Sequence, residues 1–410
     1  MSDNGSPVDG ARVVADLNAL RGIGAYKTGV HKPTFSEPHM RSLEWLAQRF
    51  PEAGLTAEID GIGNILGTSS KPGPKLLAGS HLESQNHAGW LDGPLGVVYA
   101  LEAARIINSD RNTNGAVEVA AWCDEEGHFG SFLGSRSYVG TVTEADIDGA
   151  RDRNNGRTMR EALRDVGLGG RARVKAERGR HIGYLEAHIE QGERLESSGL
   201  KIGVVTSIVG IWQYRIVFTG EQNHAGTTRM DVRKDAGLAL ARFCVDIDDR
   251  FPTLCGPRTV WTTGRITLDP GAPSIIPGGA EMLFQIRDDD PDVIARLEDL
   301  LRSMAADVSA RGRCTVAVEC IRTGAPAMMA ANFQDAIEAA SSTFAGGNSV
   351  RMPSGAGHDA QVLATIMPAG MLFVPSIGGI SHHWSENTDD ADIVTGAQVF
   401  VEACRRLLSK

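Results

Sequence analysis

The sequence lacks any run of about 18 apolar residues, the length that a membrane-spanning helix needs, so no membrane span is expected. Its opening segment, MSDNGSPVDG, has neither a basic nor an apolar stretch, so no secretory signal is expected either. The six cysteines are scattered and form no C-x-x-C pair, which is typical of reduced thiols in a cytoplasmic protein. Basic residues (41) are fewer than acidic ones (51), and the net charge of −10 argues against nucleic acid as a partner.

The chain is long and apolar enough to form two hydrophobic cores. The 410 residues exceed the usual size of one domain, and 42% of them are hydrophobic. An apolar run at 75–78 precedes a glycine-rich loop and then helical spacing after Gly93, and open α/β sheets bind ligands at such strand-loop-helix junctions. From about Gly210 the pattern predicts the β-α-β-β-α-β order of a ferredoxin-like unit, with helices at Val232–Asp248 and Pro291–Ala310. We therefore predict an α/β protein whose larger domain, with a mixed sheet flanked by helices, comprises residues 1–210 and 324–410. Residues 211–323 would form the inserted ferredoxin-like domain.

Residues 141–181 are rich in arginine, glycine and aspartate and show weak apolar periodicity. One helix is predicted there, at Thr158–Val166. Because charged segments of this kind are usually solvated faces, we predict a surface excursion between two elements of the sheet.

Metal-binding types of side chain are concentrated in the glycine-rich loop. His81 and Glu83 lie two residues apart on an extended segment and would point to the same side, where the carboxylate could orient the imidazole. Together with Asp92 they suit Zn²⁺ or a similar divalent ion. Each also has an ordinary explanation, since H-x-E is more often a surface pair and an aspartate before a glycine can cap a helix.

Two further clusters contain acids. Glu125 and Glu126 follow a strand predicted at Ala116–Trp122, so one could bind a metal while the other acts as a general base toward water. A solvated acidic turn is the ordinary alternative. His188 lies between acids in the segment LEAHIEQG, where a histidine is more often a hydrogen-bonded core residue than a ligand.

Three loop segments carry the remaining histidines of interest. His382 and His383, with an acid downstream in GISHHWSENT, indicate a metal site somewhat more strongly than the other clusters. His224 and His358 lie near glycines, which allow a backbone to approach a ligand closely but are explained equally well by turns.

Taken together and in this order, the motifs are more informative than any one of them. The set GSHLE…LDG, DEEG…F, HIEQG, NHAGTT, SGAGHD and GISH…ENT resembles the metal-dependent amidohydrolases of the M20 peptidase superfamily. The resemblance is greatest to the branch of N-carbamoyl-L-amino-acid hydrolases, β-ureidopropionases and allantoate amidohydrolases, and it runs over nearly the whole chain.

The resemblance implies hydrolysis of the C–N bond of an N-carbamoyl amino acid or a related ureido acid. The alternatives are hydrolysis of an N-acyl amino acid or another carboxylated amide by the same machinery, and a non-catalytic metal-binding protein on the same scaffold. It also implies two divalent ions, Zn²⁺ or Mn²⁺, Co²⁺ or Ni²⁺, that bridge a hydroxide beside Glu125 as general base. The ligands implied are His81, Asp92 and His188 for one ion and Asp92, Glu126 and His382 for the other.

Substrate contacts are implied in the same way. His224 would donate a hydrogen bond to the developing oxyanion from the partner subunit of a homodimer, and Arg287 would hold the substrate carboxylate, so the inserted domain would be a lid and dimerisation domain. Further contacts would come from Gln191, Ser274, Gly357 and His358. Glu83 and Glu386 would support the metal ligands from behind. The family usually has aspartate at position 83, and Glu83, longer by one methylene, would still orient His81. The family usually has asparagine at position 274, so Ser274 leads us to expect a different substrate shape.

Overall fold

The first half of the chain alternates helices with the strands of a large mixed sheet. The protein is described here by a computed structural model covering residues 7–409. Helices in this half are α1 (Gly10–Gly22), α2 (Glu37–Arg49), α3 (Pro94–Ser109), α4 (Leu133–Tyr138), α5 (Glu144–Gly149), α6 (Met159–Asp165) and α7 (Arg194–Ser197). Strands are β1 (Ala25–Tyr26), β2 (Gly29–Val30), β3 (Thr56–Ile59), β4 (Ile65–Thr68), β5 (Lys75–His81), β6 (Ala116–Trp122), β7 (His181–Ile189) and β8 (Ile202–Ile208).

The middle of the chain has four long strands and two helices, and the last part returns to the large sheet. The middle part contains β9 (Gly210–Thr219), β10 (Asn223–His224), α8 (Ala236–Arg250), β11 (Val260–Asp269), β12 (Ile275–Ile276), β13 (Gly279–Asp288), α9 (Pro291–Ala310) and β14 (Thr315–Gly324). The last part contains β15 (Ala327–Met328), α10 (Ala331–Phe344), β16 (Ser349–Ser354), α11 (Asp359–Leu363), β17 (Ala369–Val374) and α12 (Asp390–Leu408).

Contacts divide the chain into two units. The larger unit consists of two segments, the chain up to Thr206 and the chain from Met328 onward, and the smaller unit is Ser207–Ala327. The larger unit contains a sheet in the order β15-β8-β17-β7-β5-β6-β4-β3, with β16 paired to β8. Its centre, β17-β7-β5-β6, is parallel, and β4 and β3 are antiparallel at one side. The carboxyl ends of four strands therefore meet at one edge, which is where this architecture places ligands.

Burial explains why the central strands have continuous apolar runs. Every residue of β6 is buried, and so are all residues of β5 after Lys75, because helices cover both faces of a parallel sheet. Helix α3 begins with Pro94 at its first position and is buried along almost its whole length between other helices and the sheet. Among the described residues, no helix is both long and apolar enough to cross a bilayer.

The smaller unit has the element order β9-α8-β11-β13-α9-β14 around an antiparallel sheet in the order β11-β13-β9-β14. Burial alternates strictly along β13, so one face of the sheet packs on the helices while the other remains open. Helix α8 begins at Ala236, four residues later than the predicted Val232. The Asp235 side chain accepts a hydrogen bond from the Leu238 amide (2.9 Å) and so caps the helix at that point.

Residues 141–181 connect β6 to β7, as predicted, but part of this segment is buried and does not form a solvated face. Two helices form there, α5 and α6, of which one was predicted. Ile147, Met159 and Leu163 are buried with Phe35 and Ile62 in a separate apolar cluster. Apolar residues in this segment are too widely spaced among charged ones for their shared burial to be visible in the sequence.

Candidate metal centre and catalytic site

Histidines and carboxylates converge at the carboxyl edge of the parallel strands. His81 is the last residue of β5, His188 is the penultimate residue of β7, and Glu125 and Glu126 follow the end of β6. Asp92 comes from the loop before α3. Because these strands are neighbours in the sheet, residues far apart in sequence lie close together in the larger unit.

His81, Asp92 and His188 form a first group whose ligand atoms lie within 4.8 Å of one another. Asp92 Oδ1 is 3.4 Å from His81 Nε2 and 3.0 Å from His188 Nε2. All three side chains are buried. Gly93 allows this proximity, since a Cβ there would be only 2.5 Å from the His81 ring and the backbone has a φ of +87°.

The other ring nitrogens of both histidines are already occupied. His81 Nδ1 donates to the main-chain oxygen of Glu83 (3.1 Å), and His188 Nδ1 donates to that of Ile189 (3.0 Å). A carbonyl can only accept, so the neutral rings turn the lone pair of Nε2 toward the Asp92 carboxylate. Two acceptors facing each other require a cation between them, either a proton or a metal ion.

The pKa of His81 illustrates this requirement. Burial alone lowers it, but the Glu125 and Asp92 carboxylates outweigh burial and raise it well above the ordinary value of 6.5. Burial likewise lowers the pKa of His188, and the facing Asp92 raises it above that value. Without another cation, the site would therefore hold protons where the lone pairs and carboxylate oxygens converge.

Asp92, Glu126 and His382 form a second group. His382 Nε2 is 3.4 Å from Asp92 Oδ2 and 3.6 Å from Glu126 Oε2. The Asp92 carboxylate raises the pKa of His382 to about 9. Asp92 thus directs one oxygen to each group and is shared by both. The neighbouring His383 turns elsewhere, with Nδ1 2.7 Å from the Ser385 hydroxyl.

Several contacts fix the shared aspartate. Its amide donates to Glu386 Oε1 (3.1 Å), which also accepts from the Leu91 amide (3.2 Å). The Ser381 hydroxyl and the Gln191 side-chain amide donate to Asp92 Oδ2 at 3.2 and 2.9 Å. Glu386 therefore lies directly behind the site, and Gln191, predicted to contact substrate, contacts Asp92.

Glu125 lies beside the first group, with Oε2 3.8 Å from His81 Nε2. Its burial, reinforced by the nearby Glu126 carboxylate, raises its pKa well above 4.5. The Glu125 amide donates to Glu83 Oε1 at 2.6 Å. A buried carboxyl group of raised pKa, next to metal-binding side chains, is suited to exchange a proton near neutral pH.

The expected role of the Glu83 carboxylate was wrong in detail. Its Oε1 is 4.0 Å from His81 Nδ1, whereas the main-chain oxygen of Glu83 is 3.1 Å away and accepts the hydrogen bond. The carboxylate instead accepts a hydrogen bond from the Glu125 amide. Glu83 orients His81 with its backbone and holds the Glu125 turn with its side chain.

The backbone is left-handed at three non-glycine residues of this site. Asp124 has a φ of +59°, Gln191 of +58° and His382 of +55°. Asp124 stabilises its turn by accepting hydrogen bonds from the amides of His128 (2.8 Å) and Gly130 (2.8 Å). The conformation directs Glu125 and the residues after it back across the end of β6.

His358 lies behind the first group, with its ring centroid 4.7 Å from that of His188. Its Nε2 is 2.9 Å from the Ser354 hydroxyl. Burial holds the pKa of His358 well below 6.5, so the ring is neutral. Gly357 precedes it in the loop between β16 and α11.

Three of the predicted substrate residues belong to the smaller unit, where two of them share one ribbon. His224 in β10 pairs with Ile275 in β12, and the Ala225 amide donates to the main-chain oxygen of Ser274 (3.0 Å). His224 Nδ1 accepts from the amides of Gly226 (3.0 Å) and Thr227 (3.1 Å), so its proton is on Nε2. His224 is exposed and presents an N–H donor.

Arg287 lies on β13, on the face of the sheet away from the helices. It borders a cavity of about 430 Å³ together with Gln213, Thr262, Arg265 and Gln285. Its Nε donates to Gln285 Oε1 (2.7 Å), which fixes the plane of the guanidinium. Burial lowers the pKa of the Arg287 guanidinium below its ordinary value.

Comparison with known proteins assigns the family. The profile described as Peptidase family M20/M25/M40 matches residues 73–406. The chain belongs to this family. Membership confirms the predicted resemblance and makes the chain a hydrolase of C–N bonds.

Relatives of this M20 protein match along most of its length. An N-carbamoyl-L-amino-acid amidohydrolase of Paenarthrobacter aurescens is 33% identical, with 97% of each chain covered. An allantoate amidohydrolase of Bacillus subtilis is also 33% identical, covering 86% of this chain and 87% of its own. The crystal structure of an amidase (hydantoinase/carbamoylase family) from Burkholderia phymatum is 43% identical and superimposes with a TM-score of 0.88, covering 100% and 99%.

Three residues that contribute to the site were not identified from the sequence of this M20 protein. Asp124 was given no role of its own, although an acid directly after a predicted strand and before E-E-G could have indicated a turn-forming carboxylate. Gln85 and Arg153, which contact Glu126, carried no sequence signal, because neither belongs to a motif.

Proposed function

We propose that this protein is a two-metal amidohydrolase that cleaves the C–N bond of an N-carbamoyl amino acid or a related ureido acid. The observation that supports this most directly is the shared Asp92, which faces imidazole nitrogens with both oxygens beside the buried Glu125. The named relatives supply the substrate class, since they are amidohydrolases of ureido compounds.

The ligand set fits a pair of borderline divalent ions. Each group consists of imidazole nitrogens and carboxylate oxygens, without sulfur, which suits Zn²⁺, Mn²⁺, Co²⁺ or Ni²⁺. His81 Nε2 is buried and has no hydrogen-bond partner, as expected of an atom that serves as a metal ligand. When bound, such ions would polarise the scissile carbonyl and make water acidic enough to attack near neutral pH.

Glu125 would move the proton in this reaction. Its carboxylate takes a proton from the attacking water and later delivers it to the nitrogen that leaves as an amino group. Its raised pKa suits both steps, because a stronger acid would release the proton to water too readily. Glu83 holds the Glu125 backbone while this happens.

Arg287 is proposed to bind the carboxylate of the substrate. A guanidinium whose plane is fixed by Gln285 can form two parallel hydrogen bonds to a carboxylate, which an ammonium group cannot. Ser274 would also contact the substrate.

We expect Arg287→Lys to raise KM roughly 10-fold or more with little change in kcat, because charge-assisted hydrogen bonds are worth about 1.5–3 kcal/mol. Steady-state kinetics on the best ureido substrate would measure both constants. Arg265→Lys is the matched control, since Arg265 borders the same cavity but is paired with Glu281. An unchanged KM for Arg287→Lys would contradict the carboxylate contact.

His224 is proposed to stabilise the developing oxyanion across a homodimer. Its proton is on the exposed Nε2, the correct tautomer for a donor. The dimer is supported by β11, which is an exposed edge strand of the smaller unit with Val260, Ile266 and Leu268 solvent-accessible. An unpaired edge with apolar side chains is suited to association with a second copy.

Subunit complementation would test this arrangement. We expect His224→Ala and Glu125→Gln each to be nearly inactive alone, whereas a mixed dimer isolated through two different tags regains activity. If His224 acts across the dimer, one of the two sites in the mixed dimer has both residues intact. If it acts within its own subunit, neither site does, and the absence of recovery would contradict the proposal.

The reaction itself is tested by product analysis. The purified, metal-loaded protein would be offered N-carbamoyl, N-formyl and N-acetyl amino acids, with ammonia, formate and acetate measured. Ammonia release confined to ureido substrates supports the proposal. Acetate or formate release without ammonia would instead indicate an N-acyl-amino-acid hydrolase, and no release from any substrate would favour a non-catalytic protein.

A further inference from the structure

The carboxylate of Glu126 is held on both of its oxygens by one neighbour. The Gln85 amide donates to Glu126 Oε1 (3.1 Å), and the Gln85 side-chain amide donates to Oε2 (2.6 Å). The same side-chain nitrogen also donates to the main-chain oxygen of Glu126 (3.0 Å). Glu126 is buried, so these contacts restrict its carboxylate to one orientation toward Asp92 and His382.

Arg153 in turn fixes the side chain of Gln85. Its Nη2 donates to Gln85 Oε1, and its Nη1 donates to the main-chain oxygen of Glu126 (3.1 Å). A guanidinium can only donate, so it selects the amide rotamer in which oxygen faces arginine and nitrogen faces Glu126. The opposite rotamer would place an amide oxygen against a carboxylate.

Arg153 is itself anchored to the site through its backbone. Its amide donates to the main-chain oxygen of His128 (2.9 Å), in the turn that follows Glu126. The next residue, Asn154, accepts a hydrogen bond from the side chain of Asn86 (2.6 Å). Asn86 directly follows Gln85 in the chain. The segment between α5 and α6 is thus attached at two points to the loops around Glu126.

The two candidate ion sites differ in how firmly their ligands are held. In the first group, both histidines are buried and donate to main-chain oxygens. In the second group, the His382 side chain is 53% exposed on a loop, so Asp92 and Glu126 are the firmly held ligands. Contacts that fix Glu126 should therefore influence the second site most.

We propose that Gln85 and Arg153 are positioning residues that set the affinity of the second divalent-ion site by fixing Glu126. This rests on the proposed function in one respect, namely that Glu126 binds an ion. Neither residue touches the reacting atoms, and both act through the orientation of the carboxylate. Hydrogen-bond partners of metal ligands typically change metal affinity by about 10–100-fold when they are removed.

The test is a titration of the full-length, metal-free protein with Co²⁺ or Zn²⁺, in which isothermal calorimetry measures the affinities of both ion sites. Gln85→Met keeps the shape and the main-chain contact but removes the side-chain hydrogen bonds, and Arg153→Ala removes the guanidinium. We expect the affinity of one site to be unchanged and that of the other to fall about 10–100-fold in both variants. The affinity of this site in Arg153→Lys should be less than tenfold higher than in Arg153→Ala, because one ammonium group cannot contact both acceptors.

Arg151→Ala is the matched control. Arg151 lies in the same segment and carries the same charge, but it donates to the main-chain oxygens of Asp148 and Ala150. It should leave both affinities unchanged. A general loss of structure would instead weaken both sites and lower the melting temperature, and that outcome for both Gln85→Met and Arg153→Ala would contradict the proposal.

The outcomes separate this inference from the proposed function. If the unaltered protein binds fewer than two ions per chain, the two-metal function itself fails. If it binds two and both variants do so with unchanged affinities, the positioning role is wrong while the function stands. If Gln85→Met alone weakens the second site, the role of Arg153 is refuted.

Discussion

Glu125→Gln is expected to lower kcat by about 10²–10⁴-fold while leaving both ion affinities nearly unchanged. Glutamine keeps the size of the side chain but cannot accept a proton from water or return it to the leaving nitrogen. The Glu125 main-chain contact with Glu83 is also preserved, because it involves the amide of the backbone. Single-turnover and steady-state rates, together with metal counts per chain, would measure the effect.

The control for Glu125→Gln is Glu44→Gln, an equal change of charge at an exposed position of α2. It should leave kcat unchanged. If Glu125→Gln retains full turnover with both ions bound, Glu125 is not the proton acceptor. The neighbouring Glu126 would then be the next carboxylate to examine, because it shares the buried environment.

The second large effect is expected for Asp92→Asn, which should abolish both ion sites together. Among residues 7–409, Asp92 is the one residue that belongs to both groups, with Oδ1 toward the first and Oδ2 toward the second. Asparagine removes the negative charge and replaces one of these oxygens with a donor that cannot bind a cation. Activity should therefore fall by more than the roughly 100-fold typical of removing a hydrogen-bond partner of a ligand.

His382→Ala is the informative comparison for Asp92→Asn, because His382 belongs to the second group alone. Elemental analysis after dialysis should find one ion per chain in His382→Ala and fewer in Asp92→Asn. Asp248→Asn, on the exposed side of α8, is the charge control. Retention of two ions by Asp92→Asn would refute the shared role of this carboxylate.

The parts of the fold that could be predicted are those in which one local pattern determines the structure. The strand β6 was predicted at its observed bounds because AVEVAAW is a continuous β-favouring run that a parallel sheet buries completely. Helix α9 was also predicted at its bounds, since Asp290 caps it, Pro291 is compatible with its first turn, and apolar spacing continues to Ala310.

Interactions between distant segments could not be predicted from local patterns. Nothing in the order of the motifs states that β5 lies between β6 and β7, yet that neighbourhood brings His81 and His188 to one carboxylate. The ligand groups therefore came from the resemblance to a family, and spacing alone left each histidine ambiguous.

Two details of the site were missed for local reasons. In one, a main-chain oxygen makes the contact expected of a side chain, and in the other, the contacting residue belongs to no motif. Glu83 was expected to orient His81 with its carboxylate, but the main-chain oxygen was closer. Arg153 lies in a segment predicted to be solvated, and its contact with Gln85 depends on a turn between two short helices. A pattern of hydrophobic periodicity contains no information on either arrangement.

The left-handed backbone at Asp124, Gln191 and His382 has a consequence for attempts to make this enzyme more thermostable. Each such residue costs on the order of 1 kcal/mol that a glycine at the same position would not incur. Glycine would remove that strain, but at Asp124 it would also remove the acceptor of the His128 and Gly130 amides, and at Gln191 the donor to Asp92. Because losing a hydrogen-bond partner of a buried group costs about 1–3 kcal/mol, glycine at these positions should not raise the melting temperature. The safest sites for stabilising changes are consequently elsewhere, on the outer helices.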